Sequence, residues 1–212
     1  EALWQRESTF ADWEDLLELR AQYEDGDQRI RELVRGILAT DHYRAGEAEN
    51  DTNNTARMIM PDQWSTLIEN LTGFKWEWNG FDQLDNDTYG YRIMTGGVDG
   101  MQVTRAGTAP SVTGALVIQR LSEAGAGQWV EAALGSGSGM LGAVEETQQP
   151  GDTEWNATRD ALFWRILARR PNDGDREAID ALWIAVEQDQ GANEAWVALI
   201  SALLRHPESV HY

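Results

Sequence analysis

The sequence predicts a mainly α-helical protein, a multi-helix bundle with orthogonal and antiparallel packing and one long irregular insertion rich in aromatic residues and glycine. Two observations predict this class. Apolar residues recur at intervals of three and four over most of the 212 residues, which is the spacing of one helix face. Successive helical stretches also end in a short polar turn and restart on an acidic cap, most clearly at 168–209. We expect one helical domain over 1–212.

The N-terminal helices are expected within residues 8–73. The first begins near Ser8 or Thr9, because Asp12 stands three residues after Thr9 as in a capping box. A polar turn at 24–27 ends it, and the short connection predicts antiparallel packing against a second helix that reaches about Tyr43. The predicted buried stripes are Phe10, Trp13, Leu16 and Leu17 on the first helix and Ile30, Leu33, Val34, Ile37 and Leu38 on the second.

The third helix and the insertion follow. Pro61 suits the first position of a helix, and Gly73 suits its end. Trp64, Leu67, Ile68 and Leu71 form the apolar face between them. Helical spacing then fails over 74–110, where we expect an ordered irregular segment with short strands at 74–78 and 100–104.

The C-terminal helices are expected within 111–206. The first runs from Ser111 to about Leu134, with Gly125 and Gly127 as points where it could break. A stretch with the composition of a linker follows at 135–153. Three more helices are predicted at 154–169, 174–188 and 192–205, each with a tryptophan on its apolar face.

The charge composition restricts the partners. There are 36 acidic residues against 17 basic ones, and the formal net charge is −19. Nucleic acid is therefore a poor partner, and an anionic membrane surface is disfavoured, because both require clustered Lys and Arg. No stretch approaches the roughly 20 apolar residues of a spanning helix, so direct membrane insertion is not expected.

The basic residues are unusual as well, since Lys75 is the only lysine. Abundant carboxylates with almost no lysine favour a marine or halophilic source, where salt screens self-repulsion. A GC-rich genome that encodes arginine in place of lysine explains the same composition.

No motif of a known reaction is present, and we assign no catalytic residue. The chain has no cysteine, which excludes disulfides and covalently attached c-type haem. It starts at Glu1 without a leader, which we interpret as a processed chain or one from which such a segment has been removed. His42 and His206 stand near predicted helix ends, where interaction with free carbonyls and the helix dipole is the favoured interpretation over haem or metal ligation.

The predicted binding surface is the segment 74–104, because ordered irregular segments on a rigid scaffold commonly carry sites. We expect its aromatic side chains to contact a protein partner and its arginines to pair with that partner's carboxylates. The predicted partner-binding residues are Trp76, Trp78, Tyr89, Tyr91, Arg92 and Arg105.

Two other sites are considered in the same segment. Acidic residues before a glycine turn resemble the start of a calcium loop, although Gly96 stands where an EF-hand requires glutamate. An irregular calcium site would use Asp82, Asp85, Asp87 and Asp99, which are also ordinary turn residues. Alternatively, Trp76 and Trp78 with neighbouring carboxylates would bind or process a glycan.

Several segments carry a family resemblance: RELVRGILATDHYRAG at 31–46, ARMIMPDQWSTLIENLTG at 56–73, YGYRIMTGGVDG at 89–100, LFWRILARRPNDGDREAIDAL at 162–182 and ALISALLRHPES at 198–209. Together they resemble the domains of unknown function that accompany c-type cytochrome modules in exported proteins of planctomycetes, myxobacteria and marine proteobacteria. The resemblance implies a periplasmic or secreted, non-catalytic interaction or structural subunit of a redox or cell-surface assembly. It also implies a c-type cytochrome as partner. Because this chain lacks a C-x-x-C-H site, any haem would come through that partner.

Overall fold

The structure is a computed structural model that describes residues 12–40, 58–86, 89–104, 106–107, 111–136, 141–142 and 148–211. The chain divides into two compact units, 1–57 and 58–212. The described residues are mainly helical, as predicted, with one two-stranded sheet among them. Within these ranges no helix is both long and apolar enough to cross a membrane.

Residues 12–40, the described part of the first unit, form two helices, α1 (Trp13–Asp25) and α2 (Ile30–Ala39). They approach closely at Gly36, where an added Cβ would lie 2.7 Å from a methyl carbon of Leu19. The turn between them is where the sequence predicts it. Predictions that involve Ser8, Thr9, Phe10 and Tyr43 fall outside the described residues.

The predicted buried stripes of the first unit are wrong in part. Trp13 is 57% exposed, and Leu17, Ile30, Val34 and Leu38 are exposed as well. Leu19, which the stripe of α1 omits, is buried instead, against Gly36. Among the described residues of this unit, α1 and α2 pack along one face, and these apolar side chains lie away from it.

The second unit begins with α3 (Pro61–Thr72), whose two predicted ends are confirmed. Pro61 is its first residue, and Gly73 caps it in the left-handed conformation at φ 75° while donating a hydrogen bond to the Glu69 carbonyl. Strands β1 (Glu77–Trp78) and β2 (Phe81–Asp82) and the short helix α4 (Tyr91–Met94) follow.

The expected strand at 100–104 is absent from the structure. The Asp99 carboxylate instead accepts hydrogen bonds from the backbone N–H groups of Met101, Gln102 and Val103, at 2.8–2.9 Å. These bonds turn the chain, and they lower the pKa of Asp99 because they favour the charged form. A turn stabilised in this way cannot offer its backbone to a strand partner.

Helix α5 (Val112–Ser136) runs without a break through Gly125 and Gly127. Its contact with α3 explains the first of these glycines. A Cβ at Gly125 would lie 2.9 Å from a methyl carbon of Ile68 and 3.2 Å from the Thr72 hydroxyl. The glycine therefore serves close packing of two helices and does not end one.

Four further helices complete the described fold: α6 (Thr153–Leu167), α7 (Asp173–Gln190), α8 (Ala192–Leu204) and α9 (Pro207–Val210). The first three match the predicted ranges to within a few residues. Helix α8 packs against both α5 and α7. Trp155, Trp183 and Trp196 meet at its inner face with ring centroids 5.4–6.2 Å apart, and each is at most 1% exposed.

The side chain of Arg169 connects the start of α7 to α9. Its guanidinium donates to the carboxylates of Asp175 at the start of α7 and Glu208 in α9, and it lies over the Phe163 ring. The same Asp175 forms a capping box with Asn172. The hydrogen bond from Arg169 is the largest cause of a lowered pKa for Asp175.

We expect Asp175→Asn to lower the free energy of unfolding by about 1 kcal/mol or more at pH 7, since a hydrogen bond to a charged group is lost. A carboxylate with a lowered folded-state pKa stabilises the fold above its unfolded pKa of about 4 and loses that effect as pH falls through the folded value. The gap between wild type and variant should therefore narrow below about pH 4 in urea titrations. Asp173→Asn is the control, because that side chain is fully exposed at the same helix end; equal effects of the two variants would contradict the prediction.

Candidate functional site

The segment predicted to bind a partner contains a tight β-hairpin. Trp78 lies opposite Phe81, and Glu77 lies opposite Asp82. The two turn residues, Asn79 and Gly80, have φ of 52° and 80°. Positive φ at both central residues is the geometry of a type I′ turn, for which Asn-Gly is the preferred sequence. The sequence W-N-G-F at 78–81 is therefore typical of a hairpin. The strand predicted at 74–78 includes only the first strand of that hairpin.

The two faces of the hairpin differ in chemistry. Alternation along a strand places Trp78 and Phe81 on one face and Glu77 and Asp82 on the other. Trp78 is 58% exposed and Phe81 is 53% exposed. An exposed cross-strand pair of large aromatic rings therefore stands at the tip of the hairpin. Phe81 was not among the predicted partner-binding residues.

The hairpin is fixed to the helical scaffold through Asp82. One carboxylate oxygen accepts a 2.6 Å hydrogen bond from the Ser65 hydroxyl in α3. The other accepts from the backbone N–H groups of Leu84 and Asp85 at 2.8 and 2.9 Å. Leu84 is fully buried in the core of the second unit. Because both oxygens of this carboxylate accept hydrogen bonds, the aromatic tip is held in a defined position.

The remaining predicted aromatic residues form a cluster beside the hairpin. The rings of Trp76 and Tyr91 lie 4.8 Å apart, and those of Tyr89 and Tyr91 lie 6.4 Å apart. Trp76 and Tyr91 are half-buried and pack against the core, whereas Tyr89 is exposed. The structure therefore gives Trp76 and Tyr91 a packing role and leaves Tyr89 available at the surface with Trp78.

Arg92 is occupied within its own segment. Its guanidinium donates to the carbonyls of Val98 and Asp85, both at 2.9 Å, and lies 3.5 Å from the Asp85 carboxylate. These bonds connect Arg92 in α4 to residues that precede and follow this helix. Its predicted pairing with a partner's carboxylate stays a prediction. Arg105 lies outside the described residues.

The described residues that were considered for a calcium site each bond to different partners. Asp82 and Asp99 each stabilise a local turn, and Asp85 faces Arg92. Among the described residues no group of three or more His, Asp or Glu side chains is placed to hold a metal ion. Asp87 lies outside those residues. The calcium site stays a prediction.

The described histidines, His206 and His211, form hydrogen bonds near the C-terminal end of the chain. The Nδ1 atom of His206 accepts from the Glu208 backbone N–H at 3.2 Å and so caps α9. The Nδ1 atom of His211 lies 2.9 Å from the Pro207 carbonyl. His42 lies outside the described residues. The position of His206 agrees with the helix-end interpretation made from the sequence, although it caps the start of a helix.

A groove of about 820 Å³ with both charged and apolar lining lies between α3 and the hairpin. Its charged lining consists of Asp62, Glu69, Lys75, Asp82 and Asp85. The rings of Trp78 and Phe81 do not line it, because they project from the opposite face of the hairpin. A ligand stacked on these rings would therefore be separated from the Asp82 carboxylate by the hairpin itself.

Comparison with known proteins gives no relative for this arrangement: no family model, no curated protein sequence and no solved structure matches the chain.

Proposed function

We propose that the chain is a non-catalytic helical interaction subunit of an exported redox or cell-surface assembly. The observation that carries the proposal is the exposed pair of Trp78 and Phe81 on a hairpin fixed to α3. Tryptophan in particular is enriched among the residues that dominate binding energy in protein interfaces. A rigid tip also loses little conformational freedom on binding, which leaves more of the contact energy for affinity.

The charge of the chain specifies the kind of partner surface. With a net charge of −19, the protein attracts basic partners and repels acidic ones over about a Debye length. Glu77 and Asp85 near the aromatic tip are paired with Lys75 and Arg92, so the negative charge that a partner meets is that of the chain as a whole. We therefore propose a partner whose contact surface has an apolar centre and a basic rim.

We propose a c-type cytochrome as that partner, in the periplasm or outside the cell, with its haem supplied by the cytochrome. The support for this step is the segment resemblance and the charge complementarity just described. For the second unit we propose an orthogonal and antiparallel bundle into which 74–110 is inserted. The packing of α8 against both α5 and α7 supports this arrangement.

The test compares two single tryptophan variants in a pull-down from native extract at high salt. Trp78→Ala is expected to reduce recovery of a haem protein, seen in the absorption spectrum, by about tenfold or more, as for a central interface residue. Trp164→Ala is the control, because Trp164 is 62% exposed on α6, far along the chain from the hairpin. Equal recovery with both variants, or a colourless wild-type chain, would contradict the proposal.

A second function, carbohydrate binding, is favoured by one observation. Exposed aromatic rings held side by side, as at Trp78 and Phe81, provide faces on which sugar rings stack. The same variants separate the two functions. Oligosaccharides that quench tryptophan fluorescence of the wild type but not of Trp78→Ala would favour glycan binding, and no quenching across a broad panel would exclude it.

A further inference from the structure

A smaller cavity of about 280 Å³ lies within the second unit, away from the hairpin. The start of α5 and the C-terminal residues enclose it. Its apolar walls are Met58, Ala115, Ile118 and Val210, and two of its polar lining residues are Arg205 and His211. A mainly apolar cleft with a few convergent polar groups is the usual form of a small-molecule site.

The C-terminal wall of the cavity is held in place by backbone pairing. Residues Met58 and His211 form an isolated antiparallel bridge, and the Ile59 N–H donates to the Val210 carbonyl at 2.8 Å. Val210 is itself buried. The cleft is therefore formed by elements that are fixed relative to one another.

The hydrogen bond of His211 defines the chemistry of its ring. The Nδ1 atom lies 2.9 Å from the Pro207 carbonyl, which can only accept, so Nδ1 carries a proton. The second ring nitrogen, Nε2, is left for another partner.

Arg205 is exposed and lines the cavity, and like Arg31, Arg165 and Arg170 it has no carboxylate partner among the described residues. Many of the other described arginines pair with a carboxylate. The guanidinium of Arg205 is therefore available to bind a carboxylate through two parallel hydrogen bonds.

We propose that this cavity binds a small carboxylate with an apolar body. The carboxylate pairs with Arg205 beside the His211 ring, while the apolar body packs against Met58, Ile118 and Val210. A cavity of about 280 Å³ is slightly smaller than the sites that hold drug-sized ligands, so the ligand is a small one. The proposal does not depend on the function of the hairpin, since neither Trp78 nor Phe81 lines this cavity.

The ligand preference of this cavity follows from its two parts, the charged group of Arg205 and the apolar walls. A bare inorganic anion would leave the apolar walls without contact, and an apolar alcohol would leave Arg205 without its ion pair. An amine of the same shape as the carboxylate would meet like charge. The net charge of −19 repels any anion at long range, so binding must depend on these local contacts.

The test uses the full 212-residue chain with benzoate as probe and benzylamine as its charge-inverted match. Binding is followed by NMR, with the His211 ring signals as the local reporter among only three histidines. We expect saturable shifts of these signals with benzoate and none with benzylamine. Arg205→Met should weaken benzoate binding by about tenfold or more, since a hydrogen-bonded charge pair is lost.

Two further variants complete the experiment. Arg165→Met removes the same charge from an exposed position on α6 and should leave benzoate affinity unchanged. Ala115→Leu keeps Arg205 but adds bulk at the apolar wall and should also weaken benzoate binding. The proposal is overturned if benzoate and benzylamine act alike, if the two arginine variants have equal effects, or if no saturation occurs up to about 50 mM, which is weak even for so small a ligand.

Discussion

Replacing Trp183 with alanine should lower the free energy of unfolding of the second unit by about 3–5 kcal/mol, the usual cost of emptying a buried tryptophan site. The side chain is 1% exposed and meets Trp155 and Trp196 at centroid distances of 5.7 and 6.2 Å. These rings join α6, α7 and α8, so the cavity would open where three helices meet. Rigid rings on each side restrict relaxation, which keeps the cost high.

The measurement is urea unfolding followed by far-ultraviolet circular dichroism. Trp164→Ala is the matched control, since it removes the same side chain from an exposed position on α6. Its effect should stay within about 0.5 kcal/mol, as for surface substitutions in general. If Trp183→Ala and Trp164→Ala shifted the transition equally, the tryptophan cluster would not be the core of this unit.

A more conservative substitution, Trp183→Phe, separates the contribution of ring volume to stability from that of the indole N–H group. The indole Nε1 atoms of Trp183 and Trp155 are buried without a hydrogen-bond partner in the structure. Phenylalanine removes this unsatisfied donor while keeping an aromatic ring. Trp183→Phe should therefore cost clearly less than Trp183→Ala, because part of the lost packing is offset by removal of a desolvated donor.

Helix positions were predictable where the apolar spacing and the end signals agree. Pro61 and Gly73 bound α3 in the sequence and in the structure. The three C-terminal helices were found in the same way, because each tryptophan at their apolar faces has other apolar residues at helical spacing. Local chemistry was sufficient for these elements.

The contacts between elements were not predictable from spacing alone. Trp13 and Leu17 follow helical periodicity yet are exposed, since periodicity identifies an apolar face without identifying what covers it. The Asp99 turn prevented the expected strand at 100–104 through three hydrogen bonds that composition does not reveal.

The candidate sites were predictable only in part, for the same reason. Trp78 was identified from the sequence, whereas its partner Phe81 depends on the register set by the Asn-Gly turn. The cavity at Arg205 and His211 brings together residues from 58 to 211, a distance in sequence that no local motif spans.

Two glycines in the middle of α5 should respond to alanine with opposite signs. At Gly125 a new Cβ would lie 2.9 Å from a methyl carbon of Ile68 and 3.2 Å from the Thr72 hydroxyl, so α3 and α5 would have to separate. At Gly127 nothing lies within 4 Å of the added carbon. Both sites gain the helix preference of alanine over glycine, about 0.5–1 kcal/mol. Only the first loses close packing.

We therefore expect Gly127→Ala to raise the free energy of unfolding by about 0.5–1 kcal/mol. Gly125→Ala should lower it, and Gly125→Val should lower it by about 1–3 kcal/mol, because overpacking forces backbone shifts. Urea unfolding of the three variants under identical conditions measures the difference. Stabilisation by Gly125→Ala equal to that by Gly127→Ala would show that α3 and α5 do not meet at this glycine. The position of α3 would then be wrong, and with it the position of the aromatic hairpin, which is bonded to Ser65 of α3.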